Sequence, residues 1–128
     1  MADYVYPTVA EAIETQRLLI QEFGGMHGLR DRGLLEAAIY RPQNGYYEDL
    51  IHVAAALMES LANNHAFLDG NKRISFVLTD AFLRANGSFL AVEALAAHRF
   101  ITEAISNKEF RIRQIREWLT AHVQPLTE

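Results

Sequence analysis

The residues best suited to chemistry lie together in one short stretch of this sequence. It reads His65-Ala66-Phe67-Leu68-Asp69-Gly70-Asn71-Lys72-Arg73. Histidine as a residue type exchanges a proton near neutral pH, so His65 is a candidate general base for a hydroxyl nucleophile. An acid, a conformationally permissive glycine and two adjacent cations follow it. This density of reactive groups is unusual for a turn that only connects two structural elements.

The second half of the stretch predicts an anion site. A helical pattern begins near Asn71, so the amides of Gly70, Asn71, Lys72 and Arg73 lack partners within that helix and point out of its end. Gly70 lets a ligand approach the backbone, and the two cations add full positive charge. Phosphate fits such a site, and Asp69 beside it is a candidate Mg²⁺ ligand, because a carboxylate would otherwise repel phosphate. The combination predicts transfer of a phosphoryl or nucleotidyl group.

Each residue of the stretch also has an ordinary explanation. His65 could end a helix, Asp69 or Asn71 could cap the next one, and Lys72 with Arg73 could be a solvated pair. Two cations in a first helical turn oppose the helix dipole, however, and so favour a bound anion. The joint pattern therefore favours a ligand site. The remaining histidines show no metal-ligand spacing and are interpreted as surface or satisfied residues: His27, His52, His98 and His122.

Composition limits the classes of function. The 128 residues predict a single domain spanning 1–128, and 50% hydrophobic residues with three prolines predict that it is folded throughout. The absence of cysteine excludes disulfides and thiolate metal sites. No apolar run of transmembrane length and no signal pattern is visible, so we expect a cytoplasmic protein that does not act at a membrane. A net charge of −4 argues against direct binding of nucleic acid.

Helical periodicity indicates an all-α bundle of about six helices. Thr8 and Glu11 can form a capping box for the first helix, which stops at Gly24-Gly25. Asp31 can cap a second helix over residues 32–40. Further helices are expected over residues 48–64, from about 71 to 85, over 92–106 and over 112–123.

Two segments are left outside these helices. Residues 41–47 contain Pro42 and an Asn-Gly turn, which predicts an exposed excursion. Tyr46 and Tyr47 beside this turn could form a target-docking flap or a partly buried hairpin. Residues 88–91 could be a short extended piece. The stretch that begins at His65 is then the loop between the two central helices.

The stretch closely resembles the Fic signature, in which a histidine, any residue, phenylalanine, any residue and an acid precede Gly-Asn-Gly-Arg and a second arginine. Here Lys72 replaces the second glycine, and Phe76 stands where the second arginine would be. Both departures resemble the death-on-curing (Doc) branch, the toxins of type II toxin-antitoxin pairs. Ala66 and Ile74, where proline and threonine are common, are milder departures. Matching segments from Phe23 to Gln43 extend the resemblance over most of the chain.

The resemblance implies a role for each motif residue. His65 would activate a hydroxyl of the target protein, and Asp69 would position the Mg²⁺ bound to ATP. The anion hole would be formed by Gly70, Asn71, Lys72 and Arg73. Phe67 would anchor the loop in the core.

The resemblance also implies an activity and partners. Ordinary Fic proteins transfer AMP, whereas Doc toxins are thought to bind ATP in the reverse orientation and to pass its γ-phosphate to a threonine of elongation factor Tu, which inhibits translation. Lys72 favours phosphorylation, while AMP transfer and a catalytically inactive binding module remain open alternatives. A Phd-like antitoxin is expected, with a C-terminal segment that folds as a helix in a groove near the site.

Overall fold

The structure is a computed structural model that describes residues 3–127. Within these residues the chain forms six α-helices and two short strands, which confirms the predicted all-α architecture. The helices are α1 (Val9–Phe23), α2 (Arg32–Tyr40), α3 (Leu50–Asn63), α4 (Asn71–Ala85), α5 (Ala94–Ser106) and α6 (Ile112–His122). The strands are β1 (Ser88–Leu90) and β2 (Val123–Pro125). None of the helices in the described part of the chain is long and apolar enough to cross a membrane.

The predicted helix starts are confirmed by their caps. The Thr8 hydroxyl accepts a hydrogen bond from the Glu11 amide at 3.0 Å, and the Glu11 carboxylate accepts one from the Thr8 amide at 2.9 Å. At the next helix, the Asp31 carboxylate accepts from the Leu34 amide at 3.0 Å. Gly24 ends α1 at φ 86°, a left-handed conformation that suits glycine.

Helix α3 lies at the centre of the bundle and packs against α2, α4 and α6. It is buried on nearly every face, and its three consecutive alanines, Ala54 to Ala56, are fully buried. Small side chains let neighbouring helices approach closely, while Leu57 and Met58 fill the core. Because α3 and α4 form the main packing contact, the loop between them is fixed at both ends.

The expectation of an exposed excursion over residues 41–47 was wrong for its first part. Arg41–Gln43 continue α2 as a turn of 3₁₀ helix, and Pro42 is buried. The Arg41 side chain turns inward to Glu59 and Ser60 of α3. These contacts join residues that are distant in sequence, so local turn signals could not indicate them.

The end of the chain also differs from the sequence-based expectation. The last helix stops at His122, and β2 pairs antiparallel with β1, with Leu90 opposite Val123 and Ser88 opposite Pro125. Extended backbone at Ser88 was anticipated, but its partner strand was not. Helix α5 begins at Ala94, two residues later than expected, because Glu93 adopts an extended N-cap conformation.

Candidate active site

The loop between α3 and α4, residues 64–70, is bound along its length to the loop between α1 and α2, residues 24–31. We name them the site loop and the support loop. The amides of Arg30 and Asp31 both donate to the Ala66 carbonyl, at 2.8 and 3.0 Å. The Leu68 amide donates to the Gly28 carbonyl at 3.0 Å. An antiparallel bridge between Leu29 and Phe67 completes this short ladder, so main-chain bonds hold the site loop.

Arg30 adds a side-chain clamp to this ladder. Its Nε donates to the His65 carbonyl at 2.6 Å, and its Nη2 donates to the Asn64 carbonyl at 3.2 Å. His65 lies two residues beyond the end of α3 and has a φ of 52°. A left-handed conformation costs a residue with a Cβ roughly 1–2 kcal/mol, so the surrounding contacts must hold it there. The His65 side chain is exposed.

Gln16 links helix α1 to both loops. It is only 1% exposed, and its Nε2 donates to the carbonyls of Met26 and Asp69 at 3.2 and 3.3 Å. Its Oε1 accepts from the Gly28 amide at 3.2 Å. The sequence interpretation missed this residue. The available signal was a glutamine on the apolar face of α1, a position where a buried polar group needs partners.

Asp69 also joins the two loops. Its Oδ2 accepts from the Met26 amide at 2.7 Å, which leaves Oδ1 as the oxygen that could face a cation. A Cβ added to Gly25 would come within 3.3 Å of Asp69 Oδ2, so glycine permits this close approach. Residues 3–127 contain no cluster of three histidine, cysteine or acidic side chains able to hold a metal. Mg²⁺ at Asp69 would therefore take its other ligands from water and nucleotide phosphates, which is its usual manner of binding.

The N-terminus of α4 is free of side-chain caps from the described residues. Gly70 occupies the N-cap position at φ 80°, and the first helical hydrogen bond runs from the Ile74 amide to the Gly70 carbonyl at 2.8 Å. The Asn71 side chain turns back to Phe67, donating to its carbonyl at 3.0 Å and accepting from its amide at 3.1 Å. Asn71 thus closes the site loop and does not cap the helix. The amides of the first helical turn can meet an anion.

An open cavity of about 360 Å³ lies in front of this helix end. Within residues 3–127, neither Lys72 nor Arg73 forms a salt bridge, so their charges remain available to an anion. The Arg73 guanidinium carbon lies 4.1 Å from the centre of the Phe23 ring. The cavity brings together all six residues singled out from the sequence and adds two: His65, Leu68, Asp69, Gly70, Asn71, Lys72, Arg73 and His98.

His98 changes the earlier interpretation of the other histidines. It lies on α5, about 25 residues beyond the sequence stretch, yet its side chain reaches the same cavity as Lys72. No spacing rule could place it there, because the approach depends on how α5 packs against α4. His98 is an exposed surface residue, as expected, but the sequence did not indicate that it lines this cavity.

The turn that carries Tyr46 and Tyr47 lies away from this cavity. The Tyr47 ring packs edge-on against His52 with centres 4.9 Å apart, in the first turn of α3. From His52 to Asn63 the helix rises about 16 Å, at 1.5 Å per residue. This turn is therefore anchored towards the opposite end of α3 from His65.

Comparison with known proteins finds similarity over residues 6–83 of this chain. The family model described as Fic/DOC family matches residues 6–83, more than half of the chain, including both loops. A protein named Toxin Doc from Mycolicibacterium smegmatis is 47% identical over 76 residues, which cover 56% of this chain and 58% of that protein. Protein kinase doc of Escherichia phage P1 is 40% identical over 72 residues, covering 53% and 57%. The chain thus matches a little over half the length of these curated relatives, and it belongs to the Fic/DOC family.

Proposed function

We propose that this protein is a Doc-like toxin of the cytoplasm that phosphorylates a serine or threonine hydroxyl of a translation factor, with ATP as the phosphate donor. The observation that carries the proposal is one cavity lined by His65, by the first turn of α4 and by Lys72 and Arg73, two cations without a salt-bridge partner among residues 3–127. The named activity of the phage relative, a protein kinase, supports the same reaction. The family resemblance suggests elongation factor Tu as the target.

Each residue has a defined task in this reaction. His65 accepts the proton of the target hydroxyl, whose oxygen forms a bond to the γ-phosphorus of ATP. The bond from that phosphorus to the bridging oxygen of the β-phosphate breaks, and ADP leaves. Lys72, Arg73 and the amides of the first turn of α4 hold the phosphate oxygens and favour the added negative charge. Asp69 would hold Mg²⁺ through Oδ1, and the bound metal would neutralise phosphate charge.

Two residues favour phosphate transfer over AMP transfer. Lys72 stands where AMP-transferring relatives have a glycine, and its side chain lines the cavity. Phe76, in place of the second arginine, lines an apolar groove and has no charge to offer a phosphate. AMP transfer remains the rival reaction on this fold.

Labelled ATP separates the two reactions. We expect purified protein to transfer label to elongation factor Tu from ATP labelled at the γ-phosphate and not from ATP labelled at the α-phosphate. Label retained on the target from the α-phosphate alone would show AMP transfer and contradict the proposal. The His65→Ala variant in both reactions controls for contaminating kinases.

A binding module without catalysis is a second rival, and growth inhibition tests it. We expect His65→Ala, expressed to the same level as the parent, to lose toxicity because it cannot activate the hydroxyl. Equal toxicity of the two proteins would assign the effect to complex formation.

We further propose a cognate antitoxin with a helical C-terminal segment, because the relative from Mycolicibacterium smegmatis is named as a toxin. Co-expression with a short gene directly upstream should restore growth and yield a co-purifying complex. Continued toxicity with both proteins present would argue against that partner.

A further inference from the structure

A second basic region lies where helix α3 ends. It is a small surface pocket of about 130 Å³ between the end of α3, the end of α5 and the start of α6. Its walls are Asn63, Ile105, Lys108, Phe110 and Arg111. We name it the basic pocket. It shares no wall residue with the phosphate cavity at the N-terminus of α4, so the two are separate spaces.

The basic pocket lies close to the candidate base. The Asn63 side chain donates to the Phe110 carbonyl at 3.4 Å, which joins the pocket to the last residue of α3. His65 follows Asn63 by two residues, and two residues of chain span at most about 7 Å. A protein whose hydroxyl is bound at His65 is therefore large enough to contact this pocket at the same time.

We propose that the basic pocket receives an acidic side chain of the protein substrate, from the surface that surrounds the acceptor hydroxyl. The inference rests on the proposed function, because it presumes a protein substrate at His65. In the proposed reaction Lys72 and Arg73 hold ATP, so the protein substrate needs contacts elsewhere. The basic pocket adds such a contact, and with it a preference for a carboxylate near the phosphorylated residue.

Lys108 and Arg111 provide the charge for this contact. Both residues are exposed, and neither forms a salt bridge within residues 3–127. Glu109 lies between them in the sequence but does not line the pocket. Arg113, two residues further along the chain, is by contrast 3.9 Å from the Glu117 carboxylate. The two cations of the pocket therefore remain available to a carboxylate from another protein.

The backbone of Lys108 gives an independent indication. Its φ is 59°, and His65 is the only other non-glycine residue with a positive φ in the described part of the chain. Lys108 ends α5 in the manner usual for glycine: its amide donates to the Ile105 carbonyl at 3.0 Å, and the Glu109 amide donates to the Ala104 carbonyl at 2.7 Å. Lysine is strained in this conformation, and such strain concentrates at sites that bind ligands. Because glycine would avoid the strain, the lysine side chain has a role beyond ending the helix.

The size and rigidity of the pocket suit a single side chain. Small-molecule sites have volumes of roughly 300–1,000 Å³, so a nucleotide does not fit in about 130 Å³. Phe110 is 3% exposed, and its ring centre lies 6.1 Å from that of Phe100. The Ile112 amide donates to Glu59 at 2.8 Å, which holds the other end of the segment. A preformed pocket loses little conformational entropy when it binds.

The test is a steady-state assay of phosphate transfer with elongation factor Tu as the protein substrate. Lys108→Gly removes the charge and relieves the backbone strain. We therefore expect an unchanged or higher melting temperature, together with a KM for the protein substrate raised about two- to fivefold. Arg111→Gln should raise this KM by a similar factor. The KM for ATP and kcat should stay the same in both variants, because the phosphate cavity is intact.

Two control variants isolate the charge in the pocket. Lys108→Arg keeps the charge and should keep the parent KM for the protein substrate. Arg113→Gln removes the same charge from a nearby residue that does not line the pocket, and it should match the parent. Higher salt should raise the KM of the parent for the protein substrate more than that of the double variant, Lys108→Gly with Arg111→Gln.

The outcomes separate this inference from the proposed function. With an active parent, an unchanged KM for the protein substrate in both pocket variants would overturn the docking contact and leave the phosphotransferase standing. An equal rise in Arg113→Gln would assign the effect to overall charge and overturn it as well. Weaker antitoxin binding by the pocket variants with an unchanged KM would make the pocket an antitoxin contact, with the same consequence. Failure of the parent to transfer phosphate to the protein substrate would overturn the proposed function and, with it, this inference.

Discussion

Two connections that flank helix α3 are held in opposite ways. The site loop, residues 64–70, is held by main-chain bonds to the support loop and by side chains from outside, Arg30 and Gln16. The other connection, residues 41–49, is held by its own side chains. Arg41 donates to the Tyr47 hydroxyl, to Glu59 and to Ser60, each at 2.8 Å.

The two connections therefore differ in which side chains are available to bind a ligand. Burial lowers the pKa of Arg41, but the hydrogen bonds and charges of Glu59 and Tyr47 raise it by more, so the pKa is raised overall. The charged Arg41 side chain is therefore occupied by structural contacts. Lys72 and Arg73 have no salt-bridge partner among the described residues, and His65 is exposed. The site loop, held largely through its backbone, leaves the His65 side chain available to a ligand, whereas the Arg41 side chain of the other connection is occupied by structural contacts.

The largest effect is expected from His65→Ala. Removing the proposed general base should lower the rate of transfer by roughly 100-fold or more, the usual range for proton transfer by a side chain. The melting temperature should change by no more than about 2 °C, because the imidazole is exposed. The steady-state rate of γ-phosphate transfer measures the loss of activity, and thermal unfolding measures the melting temperature. His27→Ala, an exposed histidine of the support loop, is the control and should keep full activity. A comparable loss of transfer activity in both variants would show that the effect is not specific to His65.

The second effect tests Arg30 as a positioning residue. Arg30→Ala removes both hydrogen bonds to the carbonyls of Asn64 and His65, and displacement of the imidazole should lower kcat about tenfold with little change in KM for ATP. Arg30→Lys should restore part of the rate, since it can keep one of the two bonds. Arg32→Ala, at the exposed start of α2, should match the parent. An equal rise in KM and fall in kcat would indicate general loosening of the site in place of a specific effect on His65.

The third effect is a loss of stability and concerns the connection over residues 41–49. The Glu59 carboxylate accepts from Arg41 and from the Ile112 amide, both at 2.8 Å. Glu59→Gln should lower the free energy of unfolding by about 1–2 kcal/mol, since a charge-assisted bond becomes a neutral one. The proposed transfer activity of the folded protein should not change. In the control, Glu14→Gln, an exposed pair with Arg17 is lost, and the cost in stability should be smaller than that of Glu59→Gln. Urea unfolding measures both, and reduced kcat in Glu59→Gln would contradict the separation of the two regions.

The smallest effect is expected at the tip of the same connection. Tyr46 is 76% exposed, so Tyr46→Ala should change the free energy of unfolding by no more than about 0.5 kcal/mol. Tyr47→Ala should cost more, because its hydroxyl accepts from Arg41 and its ring packs on His52. Reduced target phosphorylation by Tyr46→Ala, without loss of stability, would instead support the docking-flap hypothesis for this turn.

Local signals were sufficient for most helices and for the site loop. The Thr8 and Glu11 capping box, the Asp31 cap and the apolar periodicity of α3 and α4 all act within a few residues, and each was predicted from the sequence. The candidate loop was recognised because its reactive residues are consecutive. The structure adds that Asn71 closes this loop through Phe67.

Contacts between distant residues account for what the sequence did not indicate. Arg30 and His65 are 35 positions apart, and His98 reaches the cavity only because α5 packs beside α4. The partner strand of Ser88 begins at Val123, the last residue that the sequence pattern had assigned to the final helix. Buried Gln16 had a visible signal, an isolated polar residue on an apolar face, but its three partners depend on the folded loops.

In the proposed reaction, the support loop fixes the site loop so that His65 and the N-terminus of α4 act together on a terminal phosphate. The most direct measurement is a crystal structure with Mg²⁺ and a non-hydrolysable ATP analogue. We predict the γ-phosphate within hydrogen-bond distance of the Lys72 and Arg73 amides, on the side of His65. An α-phosphate in that position, or a nucleotide bound away from this helix end, would contradict the proposed transfer of the γ-phosphate.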